Sequence, residues 1–230
     1  MSVPLIYAII PARGGSKGVP RKNLQAFLGK PLLTHSIEYA LAAESVSRVF
    51  VSTEDAEIAD VARNAGSEVL ERPHALAGDT ATTESAIQHA LDHWHTFGED
   101  PDIVVLLQAT SPLRPRGSLD AALSTFRNGG YDSLLSISPT HRFFWKVKGT
   151  ETIAEYDYLN RPRRQELAPE DIRYVENGSV YIFSREHFSK TANRLGGKIG
   201  HVVFPEEFSL EIDTLADFTI LETLAKELEY

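Results

Sequence analysis

The chain has 230 residues, 42% hydrophobic and 24% charged, with 23 basic against 32 acidic side chains and a net charge of −9. That length suits one large domain with a sizeable core, 1–230, and leaves little room for a second. The acidic balance argues against general affinity for nucleic acid or an anionic membrane, and the lack of cysteine excludes disulfides, thiolate nucleophiles and cysteine-held zinc and fits a reducing, cytoplasmic compartment.

The opening apolar run "VPLIYAII" is too short to span a bilayer and leads into Pro11 and Arg13 instead of a small-residue cleavage site, so residues 4–10 are expected as a first buried strand. The loop that follows, within "IIPARGGSKGVPRKN", carries Gly14, Gly15 and Gly18 together with Arg13, Lys17, Arg21 and Lys22. From Met1 to Ile37 the chain has no Asp or Glu, so this end of an acidic protein is purely cationic.

Next, "PLLTHSIEYALAA" predicts a helix with proline at its first turn, and "RVFVST" a second strand. "EDAEIADVARNAG" predicts a helix that opens on acids and stops at Gly66. A short strand near Glu68 to Leu70, a helix from about Thr83 to Phe97, the strand "DIVVLLQ", a helix near Gly117 to Arg127 and the strand "DSLLSIS" continue the alternation. Strands alternating with helices imply an α/β fold with a mostly parallel sheet covered on both faces.

From Pro139 to Glu176 the periodicity stops, and aromatics (Phe143, Phe144, Trp145, Tyr156, Tyr158) mix with Arg161, Arg163 and Arg164. That mixture is typical of interface cores, so 139–176 is expected to be an inserted lobe that packs against a second subunit. "GSVYIF" and "GHVVF" then read as strands and "TLADFTILETLAKELE" as a closing amphipathic helix.

In an open parallel sheet a glycine-containing loop after the first strand is a usual phosphate cradle: glycines let backbone amides approach, and the cations supply charge. The stretch "GGSKGVPRKN" fits neither GxxxxGK[ST] nor GxGxxG. Near the other end, "SLEIDT" sets Glu211 and Asp213 two apart, on one side of an extended segment, which suits magnesium shared with substrate phosphates. Asp213 or Thr214 would alternatively cap the last helix, and Asp217 reads as a dipole-favoured surface acid. "HALDHWH" puts His89 and His93 four apart with His95 nearby, but with no glutamate in an HExxH position it reads as a surface helix face rather than a zinc site.

"PARGGSKGVPRKN" resembles the N-terminal signature of the CMP-sialic acid synthetases, the acylneuraminate cytidylyltransferases. "VSTEDAEIADVARNAG", "ERPHALAGDTATT", "LLQATSPLR", "RPRRQ", "ENGSVYIF" and "EIDT" resemble that family's later blocks in order, across nearly the whole chain. The resemblance implies a Rossmann-like three-layer nucleotidyltransferase fold with a small inserted dimerisation lobe, magnesium dependence, and a homodimer whose lobe helps to complete the partner's site. It implies that CTP and a nine-carbon 2-keto-3-deoxy sugar acid give a CMP-sugar and pyrophosphate. Arg13 and Lys17 would then contact phosphate, Gly14, Gly15, Lys22, Asn23, Arg72, Asp79 and Thr83 would bind nucleotide, and Asp213 with Glu211 would hold metal. Gln108, Asn177 and Arg163 or Arg164 would face the sugar acid, the arginine binding its carboxylate bidentately. The family often has two aspartates where this chain has Glu211 and Asp213, and an arginine of some members is here Val175, with Arg173 two residues earlier. Arg21 has no counterpart. Legionaminic, KDN or Kdo-type acids or another nucleotide are alternatives within the same chemistry, and a non-catalytic nucleotide-binding regulatory module is the alternative outside it.

Overall fold

The computed structural model describes residues 4–230. Strand β1 (Ile6–Pro11) is apolar and buried throughout most of its length and ends in the cationic loop, which closes through a short hairpin, β2 (Ala26–Phe27) and β3 (Lys30–Pro31), into helix α1 (Leu32–Leu41). The alternation continues through β4 (Arg48–Thr53), α2 (Ala56–Asn64), β5 (Glu68–Glu71), α3 (Thr83–Thr96), β6 (Ile103–Leu107), α4 (Ser118–Gly129) and β7 (Ser133–Thr140). A lobe with the hairpin β8 (Trp145–Lys148) and β9 (Glu151–Ala154) follows, then the long β10 (Arg173–Ser184), α5 (Arg185–Thr191), β11 (Ile199–Val203) and α6 (Leu215–Glu227).

The seven-stranded sheet has the order β11-β7-β10-β6-β1-β4-β5. Among the described strands of this sheet, β10 alone runs against its neighbours β6 and β7, and the remaining pairings are parallel. Helices α1, α2 and α4 bury their apolar stripes on one face, against Ala8, Ile10, Val105, Leu107 and Leu134. Helices α3 and α5 cover the other, where Trp94 packs on Tyr7 and Phe50 at ring separations of 5.1 and 5.0 Å. A third cluster, Val19, Phe27, Leu32, Leu113, Ile212, Phe218 and Leu221, seats α6 beside the cationic loop.

The expected three-layer α/β architecture is present. The antiparallel sense of β10, the short helix α5 and the β2–β3 hairpin were not anticipated. A buried apolar strand reads the same in either direction, and seven residues of α5 are too few for a helical period to show. The stretch 139–176 is not wholly outside the sheet: Arg173 pairs with Thr140 and Glu176 with Ile137, so the segment that leaves it is 141–172.

The pairing of β7 with β10 is interrupted where it matters for the site. Between the pairs Ile137–Glu176 and Leu135–Tyr181, β7 contributes Ser136 alone and β10 contributes Asn177, Gly178, Ser179 and Val180. The bulge lies beside the carboxyl end of β6, where Val180 pairs with Leu107. Bulges of this kind bend a strand and re-aim its side chains.

Trp94 is 1% exposed at the centre of its aromatic cluster. Trp94→Ala is expected to lower the unfolding free energy by about 3–5 kcal/mol, read from denaturant midpoints at unchanged m-value.

Candidate active site

The loop after β1 is held from beneath by a chain of buried polar contacts. Arg72, 7% exposed, donates from Nη2 to Glu54 Oε2 at 3.1 Å, and Glu54 Oε1 accepts the Gly14 amide at 2.8 Å. Buried Asn23 donates from Nδ2 to the Arg13 carbonyl at 3.1 Å. Arg21 sits at φ +55° and pairs with Asp55 and, at 2.9 Å, with Glu57. Asp55 is also the N-cap of α2, accepting from the Ile58 amide at 3.0 Å. Arg21 therefore latches the loop to the start of α2, and the positive φ, uncommon for a residue with a Cβ, is held by that ion pair.

Gly14 lies so close to Asp55 that a Cβ would fall 2.5 Å from its Oδ2. Gly15 is exposed and has open space around it. Above this base, Arg13 donates to the Gly78 carbonyl at 3.1 Å and lies 3.4 Å from Asp79, and Lys17 lies 3.2 Å from the same carboxylate. Lys22 reaches across to the segment before α6, donating to the Ile212 carbonyl at 2.7 Å and to Asp213 Oδ1 at 3.0 Å.

These residues enclose a cleft of about 420 Å³ lined by Arg13, Lys17, Lys22, Asn23, Thr83, Gln108, Glu211 and Asp213. Thr82 is the N-cap of α3, its Oγ1 accepting from the Ser85 amide at 3.1 Å, which leaves Thr83 at the cleft wall. Glu211 and Asp213 flank Ile212, whose side chain is fully buried and whose amide donates to the Thr110 carbonyl at 2.8 Å. Burial, reinforced by the charge of Asp213, pushes the Glu211 carboxyl above its ordinary range. Asp217 forms a capping box with Thr214, and the Asp213 and Thr214 amides that donate to it hold its carboxyl below the usual range.

A second cavity, of about 590 Å³, shares Glu211 and Asp213 with the cleft and is walled by Ser138, His141, Arg142, Glu176, Asn177, Glu206 and Ser209. The two meet at the β10 bulge. Gly178 has φ +65°, and a Cβ there would lie 2.3 Å from Glu211 Oε1 and 2.8 Å from Gln108 Oε1, so glycine is needed both for the turn and for the approach of these side chains. Both ends of the Asn177 amide are engaged within the protein. Its Oδ1 accepts from Ser136 Oγ at 2.6 Å and its Nδ2 donates to Ser209 Oγ at 3.1 Å, so it shapes the cavity wall.

One residue that the sequence reading left unassigned underlies the whole junction. Arg114 is fully buried and donates to the carbonyls of Gln108 at 2.8 Å and Ser179 at 3.1 Å and to Ser36 Oγ at 2.9 Å. Burial draws its pKa down to about 10, which leaves it charged at neutral pH. The available signal was an arginine closing the short turn that follows a buried strand, seven residues after Leu107 in "LLQATSPLR". Arg72 supports the loop and lines neither cavity, and Asp79 meets the loop cations outside the cleft. Arg163 and Arg164 lie on the lobe and line neither cavity, Arg163 being exposed and 3.6 Å from Glu166.

A glycine-bearing cationic loop facing paired carboxylates at the carboxyl edge of a doubly wound sheet places this fold among the nucleotidyltransferases. Two solved structures share it: a CMP:2-keto-3-deoxy-manno-octonic acid synthetase complexed with CTP, at TM-score 0.72 and 18% identity over 97% of this chain and 99% of that one, and the 4-diphosphocytidyl-2C-methyl-D-erythritol synthase of Anaerococcus prevotii, at 0.67 and 12% over 98% and 100%. Residues 7–227 match the Cytidylyltransferase family, and the chain belongs to it. Its relatives include an N-acylneuraminate cytidylyltransferase of Oncorhynchus mykiss, 32% identical over 94% of this chain and 49% of that protein. Those of Danio rerio (form A, 34%, 94% and 50%) and Escherichia coli O18:K1:H7 (29%, 96% and 52%) are similar, so the chain spans about half the length of these relatives.

The latch has a pH signature. The Arg21 guanidinium and the Ile58 amide hold the Asp55 carboxyl below its ordinary value. A depressed folded-state pKa contributes stability that is complete above the unfolded value of about 4 and is lost as pH falls through the folded one. Asp55→Asn, which keeps a helix cap, should cost about 1 kcal/mol at pH 7, and unfolding curves should show the difference from the parent shrinking below about pH 4.

Proposed function

We propose that this chain transfers the cytidylyl group of CTP to the anomeric hydroxyl of a 2-keto-3-deoxy sugar acid of the sialic-acid type. The hydroxyl gives up its proton to solvent as its oxygen bonds to the α-phosphorus, the bond from that phosphorus to the bridging oxygen breaks, and pyrophosphate leaves with that electron pair. The observation that carries the reading is the meeting of two cavities at Glu211 and Asp213, one of them rimmed by Arg13, Lys17 and Lys22. The naming of its relatives as N-acylneuraminate cytidylyltransferases supports the choice of nucleotide and acid. Displacement at phosphorus depends on positioning and charge neutralisation more than on a protein nucleophile, which suits a chain without cysteine.

In this reading the cations of the loop hold the triphosphate, with Asp79 keeping Arg13 and Lys17 in place until phosphate competes for them. Thr83 and Asn23 border the nucleotide, and Gln108 faces the acid. Among the described residues no group of three His, Cys, Asp or Glu side chains is placed to hold a metal alone. Two carboxylates beside a phosphate site fit magnesium, which binds through one or two carboxylates plus substrate oxygens. Asp213 and Glu211 would hold it, and when bound it would neutralise charge on the transferring phosphate.

The lobe supports a homodimer. Trp145, Val147, Ile153, Tyr158 and Leu159 are all exposed, Val147 by 75% and Leu159 by 79%, a concentration of apolar surface expected at an interface. Arg163 and Arg164, which line neither the cleft nor the second cavity, would then reach the acid bound by the partner. Among the described residues no helix is long and apolar enough to cross a membrane. The cytoplasmic location is part of the proposal and rests on the fit of a cysteine-free chain to a reducing compartment.

Pyrophosphate release, measured for four nucleoside triphosphates against sialic, legionaminic, pseudaminic, KDN and Kdo acids, should require CTP, a sugar acid and magnesium together. Asp213→Ala combined with Arg13→Ala should reduce the rate by at least about a hundredfold. CTP binding without turnover on any acid would instead mark a nucleotide-binding module. For the lobe, light scattering at micromolar concentration should give a dimer mass, and Val147→Glu with Ile153→Glu should give the mass of one chain.

A further inference from the structure

Two buried polar atoms without a partner among the described residues, Ser138 Oγ and His141 Nδ1, belong to residues that line the second cavity. Their setting is specific. Ser136, Ser138 and Thr140 alternate with Ile137 and Pro139 along β7, so the three hydroxyls share one face of the strand. Ser136 Oγ is fully used, donating to Asn177 Oδ1 at 2.6 Å and accepting the Val180 amide at 2.9 Å. Thr140 Oγ1 accepts the Arg142 amide at 3.3 Å. Between them Ser138 is 1% exposed, and its hydroxyl has no partner among the described residues.

At the rim, His141 turns Nε2 toward Glu206 at 3.9 Å, and its other ring nitrogen is left buried and unpaired. Burying a hydroxyl or an imidazole nitrogen without a partner is unfavourable, and a site that keeps such groups discriminates strongly against a ligand that does not satisfy them. The cavity already has Arg142 for an anion. Ser138 adds a neutral hydroxyl that can both donate and accept, and His141 adds a ring nitrogen; with Arg142 present for the carboxylate, they suit a neutral polar substituent elsewhere on the acid.

We propose that Ser138 and His141 determine acceptor specificity by hydrogen-bonding a neutral polar substituent, a hydroxyl or an acylamino group, on the sugar acid held in the second cavity. This rests on the sugar-acid reading above. The substituent donates to or accepts from Ser138 Oγ while His141 Nδ1 takes a second bond at the rim, and the carboxylate is left to the arginines.

Steady-state kinetics on the full chain test it, with a nine-carbon sugar acid and its analogues lacking either the acylamino group or the terminal hydroxyls. Ser138→Ala should raise KM for the complete acid about tenfold and leave KM for CTP unchanged. It should also abolish the preference over one of the two analogues, which a merely structural serine would not do. Thermal stability without ligand should hold or rise, because no bond within the protein is lost. His141→Phe should reproduce the kinetic change. If both variants keep the parent's KM and its preference between acid and analogues, or if Ser138→Ala lowers the melting temperature with no change in KM, the proposal is wrong. Absence of pyrophosphate release by the parent chain with every acid would overturn the enzymatic reading itself and this inference with it.

Discussion

The site depends on one seam, where the cationic loop is pressed against the segment that precedes α6. A Cβ on Gly18 would fall 2.2 Å from the Asp213 carbonyl oxygen, and Val19 and Ile212 are buried in the same apolar cluster as Phe27 and Phe218. Lys22 crosses the seam to the Ile212 carbonyl, 190 positions away in the chain. The ion pair with Asp213 is not what holds it, because that carboxylate is 69% exposed and such pairs contribute about 0–1 kcal/mol. Burying Val19 and Ile212 contributes about 1.5–3 kcal/mol for each side chain. Apolar packing therefore sets the distance between cations and carboxylates, and their mutual attraction only refines it.

Arg114 imposes a second constraint from the opposite side. A guanidinium buried with neutral acceptors has lost its water and gained only partial compensation, which is the reason its pKa falls. It satisfies carbonyls on both sides of the junction, that of Gln108 just past the end of β6 and that of Ser179 in the β10 bulge. Ser136 grips the same bulge through Asn177 and the Val180 amide. Gly178 can then adopt its left-handed turn with Glu211 and Gln108 packed over it.

Much of this was legible in the sequence, and the limits have physical causes. Helices and strands showed through periodicity, and the loop through a run of 37 residues without an acid. What periodicity cannot carry is partnership at a distance. Arg21 looked like one more cation until Asp55 and Glu57, at the start of α2, gave it a partner, and the pairing of Arg72 with Glu54 was equally invisible in the sequence. Asn177 does line the second cavity, but the bonds of its amide to Ser136 and Ser209 carried no sequence signal. Ser138 carried no signal, since an orphaned hydroxyl is defined by the bonds that its neighbours fail to make.

The spacing of Glu211 and Asp213 follows from the seam. In an extended segment, alternate side chains point to opposite sides, so anchoring one residue in the core sends both of its neighbours outward. Ile212 is that anchor, 0% exposed with its amide bonded to the Thr110 carbonyl. A slip of one position would drive a carboxylate into the apolar cluster, where desolvation alone would oppose it. The register of the pair is thus protected by the cost of the alternative. Glu211 then sits where burial and the charge of Asp213 raise its carboxyl pKa, with Lys22 opposing the shift. The same apolar residue that closes the core beneath α6 therefore fixes two carboxylates at the boundary between the cationic cleft and the second cavity.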